Sequence, residues 1–171
     1  VVNGEATAVT SSTATLNVVV TDVGVGAPLI TVFWGPADGG ITPANWAHSE
    51  TLADTQTGAF SLAVAGLDHA ATYYFTTRAT NTTGDSWAFS SASFDTLPVA
   101  PAVETVAATG IAATTATLGA QVTSTGGENP AVTLYYGTTD GGTDPAAWQA
   151  SASPGIVGAS GTVPVSGLVA N

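Results

Sequence analysis

The sequence predicts an all-β chain of two tandem β-sandwich repeats, the second of them incomplete. Three observations support this fold class. The chain of 171 residues aligns with itself when it is shifted by 102 positions. Within each copy, apolar residues alternate with polar ones, which is the period of a half-buried strand. Asp-Gly and Gly-Gly turns separate these segments, and no long helical pattern interrupts them.

The internal repeat keeps the same apolar positions and the same turn residues in the same order. The matched segments are 14–16 with 116–118, 35–40 with 137–142, 43–46 with 145–148 and, after one deletion, 64–67 with 165–168. Residues 97–102, which read Leu-Pro-Val-Ala-Pro-Ala, join the two copies. We therefore expect repeat 1 to span residues 1–98 and repeat 2 to span residues 99–171.

Alternation places the strands of repeat 1. The last strand is expected to run from Trp87 to Phe94. The inward positions of the earlier strands are Ala14, Leu16, Val18 and Val20, then Ile30, Val32 and Trp34, then Phe60, Leu62 and Val64, and finally Tyr73, Phe75, Thr77 and Ala79.

A short helical turn is expected after each Asp-Gly-Gly turn. Thr42-Pro43 and Asp144-Pro145 each place a capping residue before a proline at the first helical position. A tryptophan follows each proline by three residues. We expect Trp46 and Trp148 to pack these turns onto their sandwiches.

Residues 67–84 read Leu-Asp-His-Ala-Ala-Thr-Tyr-Tyr-Phe-Thr-Thr-Arg-Ala-Thr-Asn-Thr-Thr-Gly. This segment resembles the fibronectin type III pattern, with a Leu, a Tyr six residues on, and then Ala-x-Asn-x-x-Gly. The resemblance implies that Tyr73 is the tyrosine-corner residue, with a buried ring and a hydroxyl bonded to nearby backbone. It also implies that Asn81 and Gly84 close the turn between the last two strands.

The resemblance covers repeat 1 and extends in repeat 2 to Asn171. It implies two tandem immunoglobulin-like (fibronectin type III) β-sandwiches, of which repeat 2 lacks its last two strands. The Asp-Gly-Gly-x-x-Pro-x-x-Trp segment departs from animal members and is similar to a bacterial subtype of large extracellular repeat proteins. Either the chain continues past Asn171, or another subunit supplies the missing strands by donation.

Charge balance and the length of apolar runs argue against two classes of partner. The chain contains twelve acidic residues and one Lys or Arg residue, which is Arg78, and it has no lysine and no cysteine. Phosphate neutralisation needs clustered Lys and Arg, so nucleic acid is not an expected partner. No apolar run reaches the roughly 18 residues of a membrane span, so membrane insertion is not expected either. The resemblance implies an extracellular or cell-surface location.

The sequence predicts neither an enzyme nor a cofactor. Asp68-His69 is an adjacent pair in a predicted turn, whereas a catalytic His needs partners on both sides in space. No calcium loop motif occurs, and no metal site is predicted within a repeat. A weaker alternative is an interdomain calcium ion held by Glu5, Asp68, Asp95 and Glu104 at the junction of the repeats.

Asn81-Thr82-Thr83 is a formal glycosylation sequon. The alternative is that Asn81 serves only the geometry of its turn, and the sequence leaves both roles open.

Outward-facing aromatic residues are the candidate contact surface. If Val32 and Tyr73 face the core, then Phe33 and Tyr74 lie together on one outer face, and Tyr135 is the counterpart of Phe33 in repeat 2. Exposed aromatic pairs are typical of protein or sugar contacts. The alternative is that the Trp46 turn folds over this face and covers it.

These features predict a structural and adhesive module of a secreted or surface repeat protein, part of an extracellular fibre or filament. The alternative is a carbohydrate-binding or spacer module attached to a secreted enzyme. The expected partners are other repeats or copies of the same protein, joined through surface contact or strand donation, and glycan.

Overall fold

A computed structural model describes residues 1–52 and 57–169 of the chain. The chain divides into two compact units, Val1–Pro98 (unit 1) and Val99–Asn171 (unit 2). The described residues form antiparallel β-sheets, with one 3₁₀ turn in each unit. No helix in this described part is long and apolar enough to cross a membrane.

Unit 1 contains eight described strands. They are β1 (Val2–Asn3), β2 (Thr13–Val20), β3 (Leu29–Gly35), β4 (His48–Thr51), β5 (Gly58–Ala65), β6 (Thr72–Asn81), β7 (Gly84–Trp87) and β8 (Ala92–Asp95). The 3₁₀ turn spans Pro43–Asn45, where the sequence predicts a helical turn.

Two sheets of unit 1 enclose its core. One sheet has the strand order β1-β2-β5, and the other has the order β4-β3-β6-β7. β7 pairs with residues 78–81 of β6 and β8 pairs with residues 72–75, so together they line the edge of β6 opposite β3. The buried residues between the sheets are Ala14, Leu16, Val18, Val20, Ile30, Val32, Leu62, Val64, Leu67, Tyr73, Phe75 and Ala79.

The alternation predicted for the strands is confirmed in this core. Leu16, Ile30 and Phe75 have no exposed surface at all. The prediction of one continuous last strand is wrong, because residues 88–91 separate β7 from β8, which pair with different parts of β6. Ala88 turns inward within this break, while Phe89 is completely exposed.

Unit 2 contains five described strands. They are β9 (Ala102–Thr109), β10 (Thr115–Ser124), β11 (Ala131–Tyr136), β12 (Ala150–Ile156) and β13 (Ser160–Ser166), with a 3₁₀ turn at Pro145–Ala147. They form a three-stranded sheet, β13-β10-β9, and a two-stranded hairpin, β11-β12. Within residues 99–169, no strand follows β13.

Two pairs of common strands have the same register in both units. Ala116 lies opposite Val165 as Ala14 lies opposite Val64. Thr105 lies opposite Ala120 as Asn3 lies opposite Val18. The strands β9, β10, β11, β12 and β13 therefore correspond to β1, β2, β3, β4 and β5. No described strand of unit 2 corresponds to β6, β7 or β8.

The core of unit 2 is smaller than that of unit 1. Its buried cluster is Ala120, Val122, Val132 and Leu134. Leu118, the counterpart of the completely buried Leu16, packs against this cluster but keeps part of its surface exposed.

Candidate functional site

The outer face of the second sheet of unit 1 carries Phe33, as predicted, but the ring is not exposed. Only 4% of Phe33 is accessible to solvent. Its ring stacks on Trp87 with 5.2 Å between centroids. The guanidinium carbon of Arg78 lies 5.7 Å from the Phe33 ring and 5.6 Å from the Trp87 ring. The expectation that the Phe33 ring is exposed is therefore wrong.

Strand pairing explains why Phe33 is covered. Arg78 of β6 lies opposite Thr31 of β3 on one side and opposite Trp87 of β7 on the other. The side chains of Arg78 and Trp87 therefore meet Phe33 over the outer face, where a cation close to aromatic rings is favourable. The sequence indicated that Phe33 points outward but could not show that a strand more than fifty residues later would cover it.

Tyr74 and Tyr135 remain accessible aromatic residues of the predicted contact set. Tyr74 is half-buried, between Gly35 and Ser93 of the neighbouring strands. Tyr135 is 40% exposed. The described part of unit 2 has no counterpart of β6 and β7 to cover Tyr135, which explains its difference from Phe33.

The expected arrangement of Tyr73 is confirmed. The side chain is 5% exposed, and its hydroxyl accepts a hydrogen bond of 3.0 Å from the backbone N–H of Asp68. Its ring stacks on Phe94 of β8 with 5.9 Å between centroids. Tyr73 thus fastens the turn before β6 to the core.

Asn81 and Gly84 lie opposite each other at the ends of β6 and β7, so they close this turn as expected. Asn81 Oδ1 accepts 2.9 Å from the N–H of Thr83, and Asn81 Nδ2 donates 3.3 Å to the carbonyl of Val23. Gly84 has a φ of +146°, a conformation that glycine adopts readily. These bonds give Asn81 a structural role, and its glycosylation stays a prediction.

The Asp-Gly-Gly turn of unit 1 is a support for Trp46. Asp38 Oδ1 accepts 2.9 Å from the N–H of Gly40, which has a φ of +57°. Trp46 is 7% exposed, and its Nε1 donates 3.0 Å to the carbonyl of Gly40. A Cβ on Gly39 would lie 2.7 Å from the indole ring. The spacing of the motif thus brings a tryptophan ring onto a glycine.

Unit 2 repeats this geometry. Asp140 Oδ1 accepts 2.8 Å from the N–H of Gly142, and Trp148 Nε1 donates 3.1 Å to the Gly142 carbonyl. The predicted caps differ between the copies. Asp144 accepts 2.9 Å from the N–H of Ala146, whereas the Thr42 side chain makes no capping bond.

The remaining candidates for catalysis or metal binding are histidine and acidic side chains. Asp68 and His69 are both exposed. His48 stacks on Trp34 with 5.4 Å between ring centroids. Across residues 1–52 and 57–169, no three His, Cys, Asp or Glu side chains come close enough to hold a metal ion. The interdomain calcium ion stays a prediction.

Unit 2 also contains an apolar groove between its sheet and its hairpin. A cavity of about 530 Å³ along it is lined by Ala116 and Leu118 of the sheet, Tyr136 of the hairpin, and Leu168 and Val169. Further cavities of about 360 Å³ and about 280 Å³ each include Leu134. The equivalent space in unit 1 is filled by β6.

Geometry thus defines a class of protein, an all-β chain with sandwich-like packing and two sites of interest, the Tyr135 face and the groove of unit 2. Neither the protein-family models nor the curated proteins contain a match to this sequence.

Proposed function

We propose that this chain is a structural and adhesive module of an extracellular or surface repeat protein, built from tandem fibronectin type III-like sandwiches. The proposal rests on one observation, that both units hold a tryptophan ring against an Asp-Gly-Gly turn. The same Asp, Gly and Trp contacts occur in both units. The Asp-Gly-Gly-x-x-Pro-x-x-Trp motif therefore has the same structural role in both units.

Repeated units of this kind favour a structural role, in which each added unit lengthens the protein and enlarges its surface. Each unit has its own core, so units can be added along a chain without changing the others. The two sheets of unit 1, β1-β2-β5 and β4-β3-β6-β7, support the sandwich-like part of the proposal. Such modules serve as spacers and adhesins alike, so the fold supports the class of role and not a ligand.

Immunolabelling of intact source cells tests the proposal. Antibodies against the 171-residue chain are expected to label the surface of unpermeabilised cells, and brief protease treatment should remove the label. Antibodies against a cytoplasmic protein serve as the control. Labelling that requires permeabilisation would contradict a surface location and with it the structural role.

A second candidate is a carbohydrate-binding or spacer module attached to a secreted enzyme. The observation that favours it is the 40% exposure of Tyr135, because a flat, accessible ring can stack on a sugar. A glycan array probed with the wild-type chain and with Tyr135→Ser separates the two candidates. Binding that is lost in Tyr135→Ser supports the carbohydrate-binding role, whereas Phe33→Leu is a matched variant at the covered position.

A further inference from the structure

We propose that Arg78 and Trp87, on the outer face of unit 1, form a binding site for a carboxylate-bearing sugar at the end of an otherwise neutral glycan. Such a site would give an adhesive module its ligand, so the inference rests on the proposed function. The residues around the site belong to β3, β4, β6 and β7, which pair with one another within unit 1.

Arg78 is a cation without an acidic partner among the described residues. It is the only Lys or Arg in a chain with twelve acidic residues. Across residues 1–52 and 57–169, no basic side chain forms an ion pair with an acidic one. The Nε of Arg78 is buried and has no hydrogen-bond acceptor in this part of the chain. Because a guanidinium has five N–H donors and Arg78 is only partly buried, an acceptor from outside can bind it.

Two aromatic rings fix the position of the guanidinium. Its carbon lies 5.7 Å from the centroid of Phe33 and 5.6 Å from that of Trp87. The two rings stack on each other with 5.2 Å between centroids. A guanidinium held in this way loses little conformational freedom when a ligand binds, and its planar fork matches the two oxygen atoms of a carboxylate.

Cover for Phe33 alone does not account for an arginine at this position. An apolar side chain on β6 would also cover the ring, and it would not bring a charge into a partly buried place. Burial of a charge is unfavourable unless the charge is paired. The contacts with Phe33 and Trp87 offset part of this cost, and a bound carboxylate would complete the pairing.

The charge of the chain favours a ligand with a single negative charge. The net charge is −11, so each further charge on a ligand adds repulsion. Asp85 is exposed close to the site, and its Oδ2 accepts 3.1 Å from the Nε1 of Trp87. A carboxylate carries one charge, whereas a phosphate monoester carries about 1.5 to 2. Polyanions and strongly acidic peptides are disfavoured for the same reason.

The surroundings of the guanidinium favour a sugar as the body of the ligand. Trp87 is half-buried, so part of its surface can contact a sugar ring. Thr51, Thr31, Arg78 and Trp87 form one row across four strands, and the two threonine hydroxyls lie 2.8 Å apart. Ser49 is exposed on the same face of β4 as Thr51. The hydroxyl groups of a sugar can exchange hydrogen bonds with these side chains, whereas an apolar acid cannot.

NMR titration of the complete 171-residue chain tests the proposal. Arg78 is the only arginine, so its Nε–H gives the single arginine signal, and burial of Nε slows exchange with water. The probes are the methyl glycosides of N-acetylneuraminic acid and of glucuronic acid, which carry the carboxylate on different carbons. We expect at least one probe to shift the Arg78 Nε–H and the Trp87 indole N–H with one-to-one saturation. The carboxamide of the same glycoside, which has no charge, should bind at least about 10-fold more weakly.

Two substitutions separate a ligand site from a structural cover. Arg78→Lys keeps the charge but loses the fork, so it should weaken binding at least about 10-fold. Asp85→Asn removes a neighbouring negative charge and keeps an oxygen acceptor for Trp87, so it should strengthen binding by up to about threefold. Ser61→Ala, on the outer face of the other sheet, is the matched control and should bind as the parent does. The backbone amide signals of β6 show whether each variant keeps its fold.

Absence of a shift with both sugars would overturn the proposal, and so would equal binding of the carboxylate and the carboxamide. Unchanged binding in a folded Arg78→Lys variant would also overturn it. Asp54 is the one acidic residue outside the described part of the chain. If sugar binds only after Asp54→Asn, the partner of Arg78 is internal and the proposal is wrong. Surface labelling of cells is independent of these results, so a failed sugar site and a failed structural role give different outcomes.

Discussion

Leu16 and Leu118 occupy the same place in two copies of one sequence repeat, yet only Leu16 is completely buried. The same contrast separates Phe33, 4% exposed, from Tyr135, 40% exposed. The pairing of β2 with β5 in unit 1 has the same register as the pairing of β10 with β13 in unit 2. The difference therefore comes from β6, β7 and β8, which close the core of unit 1 and cover its outer face. Whether a given position of the repeat is buried therefore depends more on the presence of the last strands than on the residue at that position.

The largest expected effect is on independent folding. We expect residues 1–98 to unfold cooperatively, whereas residues 99–171 alone should show no cooperative transition. Each large side chain that becomes fully buried contributes about 1.5–3 kcal/mol, and four such side chains contribute about 6–12, as much as the net stability of many domains. Urea titration followed by circular dichroism makes the measurement. A cooperative, monomeric transition in residues 99–171 would break the comparison.

Trypsin reports on unit 1 alone, because Arg78 is the only Lys or Arg in the chain. The Arg78 backbone lies within β6, between β3 and β7. Cleavage should therefore require unfolding of unit 1 and proceed at least about 1,000-fold more slowly in buffer than in urea. Mass spectrometry of timed digests follows the reaction. Rapid native cleavage would show that β6 opens locally.

Matched truncations of leucine measure how far the two cores differ. Leu16→Ala should destabilise unit 1 by about 2–5 kcal/mol, since it leaves a cavity in a closed core. Leu118→Ala should cost about 1 kcal/mol or less, because Leu118 already borders a cavity. Hydrogen exchange of amides in β2 and β10 reads the two units separately in the complete chain. Equal costs would mean that unit 2 is as closed as unit 1.

Effects smaller than that of Leu16→Ala are expected in the turns that the units share. A Cβ on Gly39 or on Gly141 would lie 2.7 Å from the tryptophan ring. Gly39→Ala should cost about 1–3 kcal/mol, on the scale of overpacking. Gly141→Ala should cost less, since Trp148 is half-buried and can shift, whereas Trp46 is buried. The indole N–H chemical shifts of the two tryptophans follow each displacement. Gly110→Ala and Gly24→Ala are unsuitable controls because both have positive φ, so Gly26→Ala serves instead.

Local pattern was sufficient to predict much of unit 1. Period-two alternation identified the inward residues of β2, β3 and β6, since an alternating strand has one buried face. The resemblance of residues 67–84 to the fibronectin type III pattern, rather than alternation, implied a bond between the Tyr73 hydroxyl and nearby backbone, and the structure contains this bond. The 3₁₀ turns followed from proline and its capping residue.

Contacts between distant segments could not be predicted in this way. The cover over Phe33 depends on Trp87, and alternation within β3 contains no information about it. Phe89 lies in the break at residues 88–91 and is completely exposed, although the predicted last strand included it. β4 was missed as well, because its segment His48–Thr51 is entirely exposed and shows no alternation. Exposure on the outer face is thus a property of neighbouring strands.

Phe33 and Tyr135 also bear on how mutational data from such repeats should be averaged. A consensus built by aligning the two copies would combine a position where a polar substitution uncovers a packed ring with one where the same substitution is nearly neutral. Tolerance measured in unit 2 would therefore overstate what unit 1 accepts at residue 33. Design of longer arrays from this chain requires separate substitution profiles for closed units and for the open unit.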